Sequence, residues 1–191
     1  MANFVSRAGE KLQFALKSFG ISVKDLICAD FGSSTGGFVD CLLQNGAKKV
    51  YAVEVGYGTI DWNLRNDPRV VVMERTNAMH VILPEKIGLI TIDVGWTKQK
   101  DILPNAFKNL KDPTSHKASR GIIISLIKPH YEAPKKYLRK GKLMDEKIDE
   151  VLNQVRKDVE EVGGKIEKLI ESPILGEKGK NREFLVLIDL R

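Results

Sequence analysis

Nearly continuous runs of aliphatic residues recur along this chain, and helix-like segments separate most of them. The runs cover residues 26–30, 49–55, 70–73, 87–93 and 121–127. Strands that are apolar on both faces are typical of a parallel sheet covered by helices on both sides, whereas a half-exposed strand alternates apolar and polar residues. The pattern therefore predicts a doubly wound α/β fold.

Apolar residues with helical spacing mark the segments around these strands. A leading helix is expected over 8–19, with Ser6 available to cap its start and Gly20 placed to end it. A long helix over 148–162 is expected to stop at Gly163-Gly164. Shorter helices are predicted over 37–44, 60–65 and 99–110.

The last part of the chain differs, because two predicted strands over 165–171 and 183–190 follow each other without a helix between them. Parallel neighbours need a crossover of a dozen or more residues, so these two strands are expected to form an antiparallel hairpin. The prediction is a mostly parallel, seven-stranded sheet that ends in this hairpin. A chain of 191 residues accommodates it as one domain over residues 1–191.

Composition narrows the class of partner. The net charge of +6 and a pI of about 9.2 favour an anionic partner, nucleic acid above all. Cys28 and Cys41 lack the spacing of a zinc site or disulfide framework, which points to a reducing cytoplasm. No apolar run is long enough to span a bilayer, and the three histidines, His80, His116 and His130, lack a metal-binding spacing. We therefore expect neither a membrane partner nor a metal.

The most informative segment is the glycine-rich turn over 29–38, between the first strand and the next helix. A dinucleotide fingerprint needs glycine where Ser34 stands, and a phosphate-binding P-loop needs Gly-Lys where Gly37-Phe38 stands. The turn therefore suits a less anionic ligand, such as the methionine part of S-adenosylmethionine. Glu54, 22 residues beyond Gly32, could bind ribose hydroxyls. A glycine-rich turn of another α/β protein, with a solvated Glu54, stays open as the alternative.

Six segments along the chain carry a family resemblance. They are Ser6–Leu12, the Gly32 turn, Glu74–Ala78, Ile92–Val94, Leu126–Pro129, and the stretch from Ser172–Ile174 through Asn181–Leu185. Together they resemble the FtsJ/RrmJ-like ribosomal RNA methyltransferases, most closely the hemolysin A (TlyA) type. The resemblance implies a Rossmann-like class I methyltransferase fold and methylation of a ribose 2′-hydroxyl with S-adenosylmethionine. The candidate cofactor-binding residues are Asp30, Gly32, Ser33, Ser34, Thr35, Gly36, Gly37, Phe38, Glu54, Asn77 and Asp93.

The resemblance also implies four catalytic residues, by motif position: Lys11, Asp93, Lys128 and Glu183. Asp93 and Lys128 fall at the C-terminal ends of predicted strands, where open α/β sheets bind ligands. A lysine can act as a base only if burial or a neighbouring cation lowers its pKa. Lys11 and Lys128 placed together would have that effect on each other, while the two carboxylates would orient them.

Two features depart from the TlyA type. Gly95-Trp96 follows Asp93-Val94 where that type has Ser-Phe, and Trp96 is interpreted either as a platform for a base or adenine or as a core aromatic. The TlyA type also carries an N-terminal S4-like RNA-binding domain that these 191 residues lack, so target selection through such a domain is not expected of them, and whether a partner replaces it stays open. A basic stretch over 135–142 is the best local candidate for a patch that contacts RNA, and a solvated basic loop is the alternative interpretation. The candidate RNA-binding residues are Arg7, Trp96, His130, Lys135, Lys136, Arg139 and Lys140.

The sequence thus predicts a cytoplasmic, S-adenosylmethionine-dependent methyltransferase that acts on a ribose 2′-hydroxyl of RNA, with ribosomal RNA as the expected partner. The alternative is an RNA-binding or ribosome-assembly protein that retains the cofactor fold without efficient turnover. No oligomeric state is predicted.

Overall fold

A computed structural model describes residues 4–111, 121–177 and 179–190 of the chain. Helices and strands alternate through most of its length, as the apolar runs predict. The elements are α1 (Ala8–Phe19), β1 (Ile27–Phe31), α2 (Gly37–Gln44), β2 (Lys49–Val53), α3 (Trp62–Arg65), β3 (Val70–Met73), β4 (Leu89–Ile92), α4 (Gln99–Asn109), β5 (Ile122–Ile127), α5 (Pro129–Glu132), β6 (Leu138–Arg139), β7 (Lys142–Leu143), α6 (Ile148–Glu161), β8 (Gly164–Glu171) and β9 (Phe184–Leu190).

Seven strands form one sheet in the order β3-β2-β1-β4-β5-β9-β8. The first five run parallel, and β9 is antiparallel to both of its neighbours, β5 and β8. Helices α1 and α2 pack on one face of the sheet, and α4 and α6 pack on the other. The predicted doubly wound sheet with a C-terminal antiparallel hairpin is therefore confirmed.

The direction of β9 matters for function. Phe184, its first residue, pairs with Ile127, the last residue of β5. Because β9 runs opposite to β5, its beginning lies at the edge where the parallel strands end. Glu183, which precedes β9, thus reaches the same edge as Asp93 and Lys128, which follow β4 and β5.

The first helix starts differently from the expectation. Arg7 stands at the N-cap of α1, and no side chain caps the helix. The Ser6 backbone carbonyl accepts the Gly9 N–H instead, so the predicted side-chain cap is wrong. Gly20 ends the helix with a left-handed φ of 71°, as predicted.

A small hairpin made of β6 and β7 was missed at the sequence level. Its strands have two residues each, too few to show an alternating pattern. The turn between them, Lys140-Gly141, has positive φ at both residues (51° and 80°), as two-residue hairpin turns of type I′ require. The basic stretch therefore includes a folded hairpin.

Within the described ranges no helix is long and apolar enough to cross a membrane. The same ranges contain no group of three or more His, Cys, Asp or Glu side chains that could hold a metal ion, and His116 lies outside them. Cys28 and Cys41 are both free and buried.

Candidate active site

A cavity of about 750 Å³ opens at the C-terminal ends of β1, β2, β4 and β5. Open α/β sheets bind their ligands in this position. The cavity brings together most of the predicted cofactor-binding residues and all four predicted catalytic residues. Those that line it are Lys11, Asp30, Gly32, Ser33, Ser34, Thr35, Gly37, Phe38, Glu54, Asn77, Asp93, Lys128 and Glu183, and Arg7, which was predicted to bind RNA, lines it as well.

The glycine-rich turn forms one wall of this cavity. Gly32 has a φ of 88°, and a Cβ atom there would lie 2.6 Å from the backbone oxygen of Asp93. Only glycine therefore allows β1 and β4 to lie this close at their ends. Gly36, by contrast, does not line the cavity, because it packs beneath Leu64, whose Cδ1 would lie 2.4 Å from an added Cβ.

Glu54 joins the glycine-rich turn to the loop after β2. Its Oε2 accepts the Ser34 N–H at 2.8 Å, and its Oε1 accepts the Gly56 N–H at 2.7 Å. An ionised carboxylate has about four acceptor positions, so these two bonds leave capacity for hydroxyl donors. The carboxylate is thus held in place and can still accept bonds from a sugar in the cavity.

Asp30 lies deeper, with 1% of its surface exposed. The Thr91 hydroxyl donates to its Oδ1 at 2.7 Å. Burial, aided by the nearby charges of Asp93 and Glu54, raises the pKa of Asp30 to about 7 despite that hydrogen bond. A cationic ligand in the cavity would favour the ionised form of this carboxyl group.

The predicted catalytic residues form two ion pairs. Lys11 Nζ from α1 lies 2.5 Å from Glu183 Oε2, although the two residues are 172 positions apart, and their side chains are only 8% and 4% exposed. Lys128 Nζ lies 2.6 Å from Asp93 Oδ1, with 18% and 19% of the side chains exposed. Four charged groups from four parts of the chain therefore meet at one end of the cavity.

The expectation that a neighbouring lysine lowers the pKa of Lys128 is wrong for this arrangement. Burial works against the charge on Lys128, but the contact with Asp93 and the nearby charge of Glu183 outweigh it and raise the Lys128 pKa. Lys128 therefore carries a proton at neutral pH. In this arrangement it is a cation and a hydrogen-bond donor, not a base.

A second cavity, of about 510 Å³, adjoins α5 and contains an aromatic cluster. Trp96 is 78% exposed and stacks on Tyr131, with ring centroids 5.1 Å apart and an interplanar angle of 25°. The core interpretation of Trp96 is therefore wrong. Burial and the charge of Lys128 lower the pKa of His130, whose ring lies 4.1 Å from that of Tyr131, to about 4, so this imidazole is neutral at pH 7.

Two of the four residues predicted for the basic stretch line this second cavity. Lys135 and Lys140 line it together with Trp96 and His130, whereas Lys136 and Arg139 are exposed without lining it. The lining of the first cavity also includes residues that were not predicted for the site, among them Glu177 and Thr97, which lie in loops without a local pattern. The chain thus presents an aromatic surface with lysines at its rim beside the two ion pairs.

The residues fit S-adenosylmethionine as a ligand of the first cavity. Gly32 opens the space that a Cβ would fill, and Glu54 offers acceptors for ribose hydroxyls. Asp30 and Asp93 supply negative charge for a ligand with a sulfonium and an ammonium group.

Comparison with known proteins gives one family and close relatives. The family model of the FtsJ-like methyltransferases matches residues 4–189. A Bacillus subtilis protein, provisionally named rRNA methyltransferase YqxC, is 44% identical over 192 residues, covering 96% of this chain and 64% of its own length. The 16S/23S rRNA (cytidine-2′-O)-methyltransferase TlyA of Mycobacterium tuberculosis is 38% identical over 191 residues, covering 96% of this chain and 68% of its own length.

A solved structure agrees with this result. The protein from Streptococcus thermophilus, provisionally described as a hemolysin, superimposes with a TM-score of 0.91 at 37% identity. The match covers all of this chain and 68% of that one. The chain therefore corresponds to only part of the length of these relatives.

Removing one partner of the Lys11–Glu183 pair should destabilise the protein. Lys11→Met leaves a buried carboxylate without its closest cation, which we expect to cost about 3 kcal/mol of unfolding free energy. The double variant Lys11→Met, Glu183→Gln removes both charges and should recover most of that loss. Urea denaturation measures both, and equal destabilisation in the single and double variants would contradict the pairing.

The buried Asp30 should make stability depend on pH. The carboxyl pKa is higher in the folded state (about 7) than in the unfolded chain, so the wild type loses stability as pH rises from 4 to 7. Asp30→Asn removes this contribution and keeps the acceptor for Thr91. We expect the variant to gain about 2 to 4 kcal/mol relative to the wild type between pH 4 and pH 8.

Titrating groups that do not interact with Asp30 contribute equally to both proteins and cancel in that difference, whereas the response of Asp93 and Glu54 is part of the measured effect. Asp149→Asn is the matched control, because Asp149 is exposed on α6. The measurement is the unfolding free energy of wild type, Asp30→Asn and Asp149→Asn at pH 4 and at pH 8. A difference between wild type and Asp30→Asn that is independent of pH would show that folding does not raise the Asp30 pKa.

Proposed function

Because this chain belongs to the FtsJ-like methyltransferase family, we propose that it transfers a methyl group from S-adenosylmethionine to a ribose 2′-hydroxyl of ribosomal RNA. The observation that carries the proposal is the meeting of Lys11, Asp93, Lys128 and Glu183 at one end of the cavity. The rRNA methyltransferase names of the Bacillus and Mycobacterium relatives support the same substrate class. We propose that residues 1–191 act as a single domain and work in the cytoplasm, where ribosomes are found.

S-adenosylmethionine supplies a methyl group that is activated by the adjacent sulfonium charge. The residues proposed to hold the cofactor are those of the turn over 32–38, with Asp30 beneath it. Glu54 is proposed to accept bonds from the ribose hydroxyls, as its position at the end of β2 favours. Asn77 lies on the wall formed after β3, where it can border the adenine.

The reaction centre is proposed to work through charge and orientation. The Lys128 ammonium, kept protonated by Asp93, donates to the ribose 2′-oxygen and stabilises the negative charge that develops as its proton leaves. The Asp93 carboxylate, which pairs with Lys128, is proposed to accept that proton. Lys11 and Glu183 brace each other beside this pair, which keeps the geometry when RNA binds.

RNA is proposed to approach from the side of the second cavity. The exposed stack of Trp96 on Tyr131 can take a base that has left its own stack. Lys135, Lys136, Arg139 and Lys140 can contact phosphates around it, and Arg7 at the rim of the first cavity can contact the strand near the target ribose. His130 is proposed to touch the same base.

The loss of the Glu54 carboxylate should weaken cofactor binding. Glu54→Ala removes acceptors for ribose hydroxyls and the support of the glycine-rich turn, which we expect to cost about 1 to 3 kcal/mol of binding free energy. Isothermal calorimetry with S-adenosylhomocysteine measures it. Glu85→Ala is the control, because Glu85 is paired with Lys49 away from the cavity. Tight binding of NAD or ATP in place of the methionine-derived ligand would contradict the cofactor assignment.

The Lys128 cation should be required for methyl transfer but not for cofactor binding. Lys128→Ala should lower the single-turnover rate on native ribosomal subunits about 100-fold or more, with cofactor affinity within a few-fold of the wild type. Lys49→Ala, which removes another paired lysine far from the cavity, should keep the wild-type rate. If the wild type binds subunits but transfers no methyl group, the chain is an RNA-binding or ribosome-assembly protein that retains the cofactor fold, and the methyltransferase proposal fails.

The pH dependence of the same rate tests the role of Lys128. Since its pKa is raised, the ammonium persists from pH 7 to pH 9, and a cation needs no deprotonation. We therefore expect the single-turnover rate of methyl transfer not to increase steadily between pH 7 and pH 9. A climb of about tenfold per pH unit would instead indicate that Lys128 must lose its proton and act as a base.

A further inference from the structure

The basic hairpin of β6 and β7 is too small to hold its own position. Each strand has two residues, and isolated two-stranded hairpins are marginally stable at best in water. Arg139 and Lys140 nevertheless project from this hairpin as exposed side chains. Something must therefore fix the hairpin against the domain if these charges are to meet RNA phosphates in a defined place.

Leu143 anchors the hairpin by packing in the hydrophobic core. Asn181, in the loop between β8 and β9, adds a polar attachment that also reaches the turn. It is only 3% exposed, and its side chain contacts two points of the hairpin. Its Oδ1 accepts the Leu143 N–H at 3.0 Å, and its Nδ2 donates to the Gly141 carbonyl at 3.1 Å. One amide group thus bonds both the second strand of the hairpin and the turn that carries Lys140.

The same residue is connected to Glu183, the partner of Lys11. The Asn181 backbone carbonyl accepts the Gly176 N–H at 2.8 Å, and a Cβ atom on Gly176 would lie 2.7 Å from Glu183 Oε1. The Gly176 backbone therefore packs against the Glu183 side chain, two residues beyond Asn181. Displacement of Asn181 would disturb the hairpin on one side and the surroundings of Glu183 on the other.

We propose that Asn181 is a positioning residue for the RNA substrate, which fixes the basic hairpin relative to Glu183 so that RNA phosphates bound at the hairpin are held in register with the reaction centre. This inference rests on the proposed function. Asn181 does not line the cofactor cavity; it lies at the edge of the second cavity, beside Lys140 and Gly141, and joins the hairpin to the loop before Glu183.

A double-mutant cycle tests the coupling. Four proteins are compared: wild type, Asn181→Ala, the charge variant Arg139→Ala with Lys140→Ala, and the combination. Filter binding to deproteinised ribosomal RNA across a salt series gives the affinity and the slope of log affinity against log salt. Each lost phosphate contact should flatten that slope by about 0.7 to 0.9.

Asn181→Ala should weaken RNA binding about tenfold and flatten the slope, although it removes no charge, because two hydrogen bonds to the hairpin are lost. In the Asn181→Ala background, removal of the two charges should have little further effect. Additive effects of the two changes, or an unchanged slope in Asn181→Ala, would overturn the proposal.

Asn109→Ala is the matched control. Asn109 is also buried and joins two segments through both ends of its amide, since it accepts the Leu83 N–H and donates to the Val81 carbonyl. It lies at the end of α4, and its loss should lower the thermal midpoint without changing the salt slope. If Asn109→Ala flattens the slope equally, the effect is one of general stability and the proposal fails.

Asn181→Asp keeps the shape of the side chain and serves if the alanine variant does not fold. It retains the acceptor for Leu143 but places a carboxylate against the Gly141 carbonyl, so the same non-additivity with the charge variant is expected. Calorimetry with S-adenosylhomocysteine should give unchanged cofactor affinity in every variant. If wild-type protein shows no salt-dependent RNA binding at all, the proposed function fails, and this outcome is distinct from additivity, which overturns only the role of Asn181.

Discussion

The antiparallel entry of β9 between β5 and β8 is the constraint on which the rest of the site depends. In a sheet of parallel strands only, every strand would bring its C-terminal end to the cavity and its N-terminal end to the opposite edge. The reversal of β9 brings its beginning, and with it Glu183, to the cavity edge. A carboxylate buried there needs a cation, and Lys11 from the other end of the chain is that cation.

This arrangement separates two kinds of surface. The cofactor cavity contains the carboxylates of Asp30, Glu54 and Asp93 and suits a ligand with positive charge. The neighbouring surface around Trp96 and the β6–β7 hairpin is aromatic and basic and suits the bases and phosphates of RNA. The two ion pairs lie between these two surfaces. A ribose bound at the basic surface can therefore meet a methyl group held in the acidic cavity.

Much of the fold follows from local patterns, because a strand that is buried on both faces must be apolar throughout. The runs that became β1, β4 and β5 are visible for that reason, as is the helical face of α6. The candidate catalytic residues were identified by family motifs, since the meeting of Lys11 with Glu183 across 172 positions is a product of topology. Spacing along the chain carries no signal for such a contact.

Other properties of the site depend on three-dimensional neighbours and could not be predicted. The direction of the Lys128 pKa shift depends on whether a carboxylate or a second lysine is the nearer charge, and the fold places Asp93 beside it. The stack of exposed Trp96 on Tyr131 and the hydrogen bonds of the Asn181 amide to the hairpin are contacts of the same kind. Each is decided by a contact between segments that are distant in sequence or lack a periodic pattern.

The central claim is that this chain methylates ribose 2′-hydroxyls of ribosomal RNA. The most direct measurement is a map of 2′-O-methyl positions across the ribosomal RNA of cells with and without the gene that encodes it. The account predicts at least one ribose that is methylated only when the gene is present and regains its methyl group when purified protein and S-adenosylmethionine are added to subunits from the deleted strain. Identical maps from the two strains, with no methyl transfer to those subunits, would contradict it.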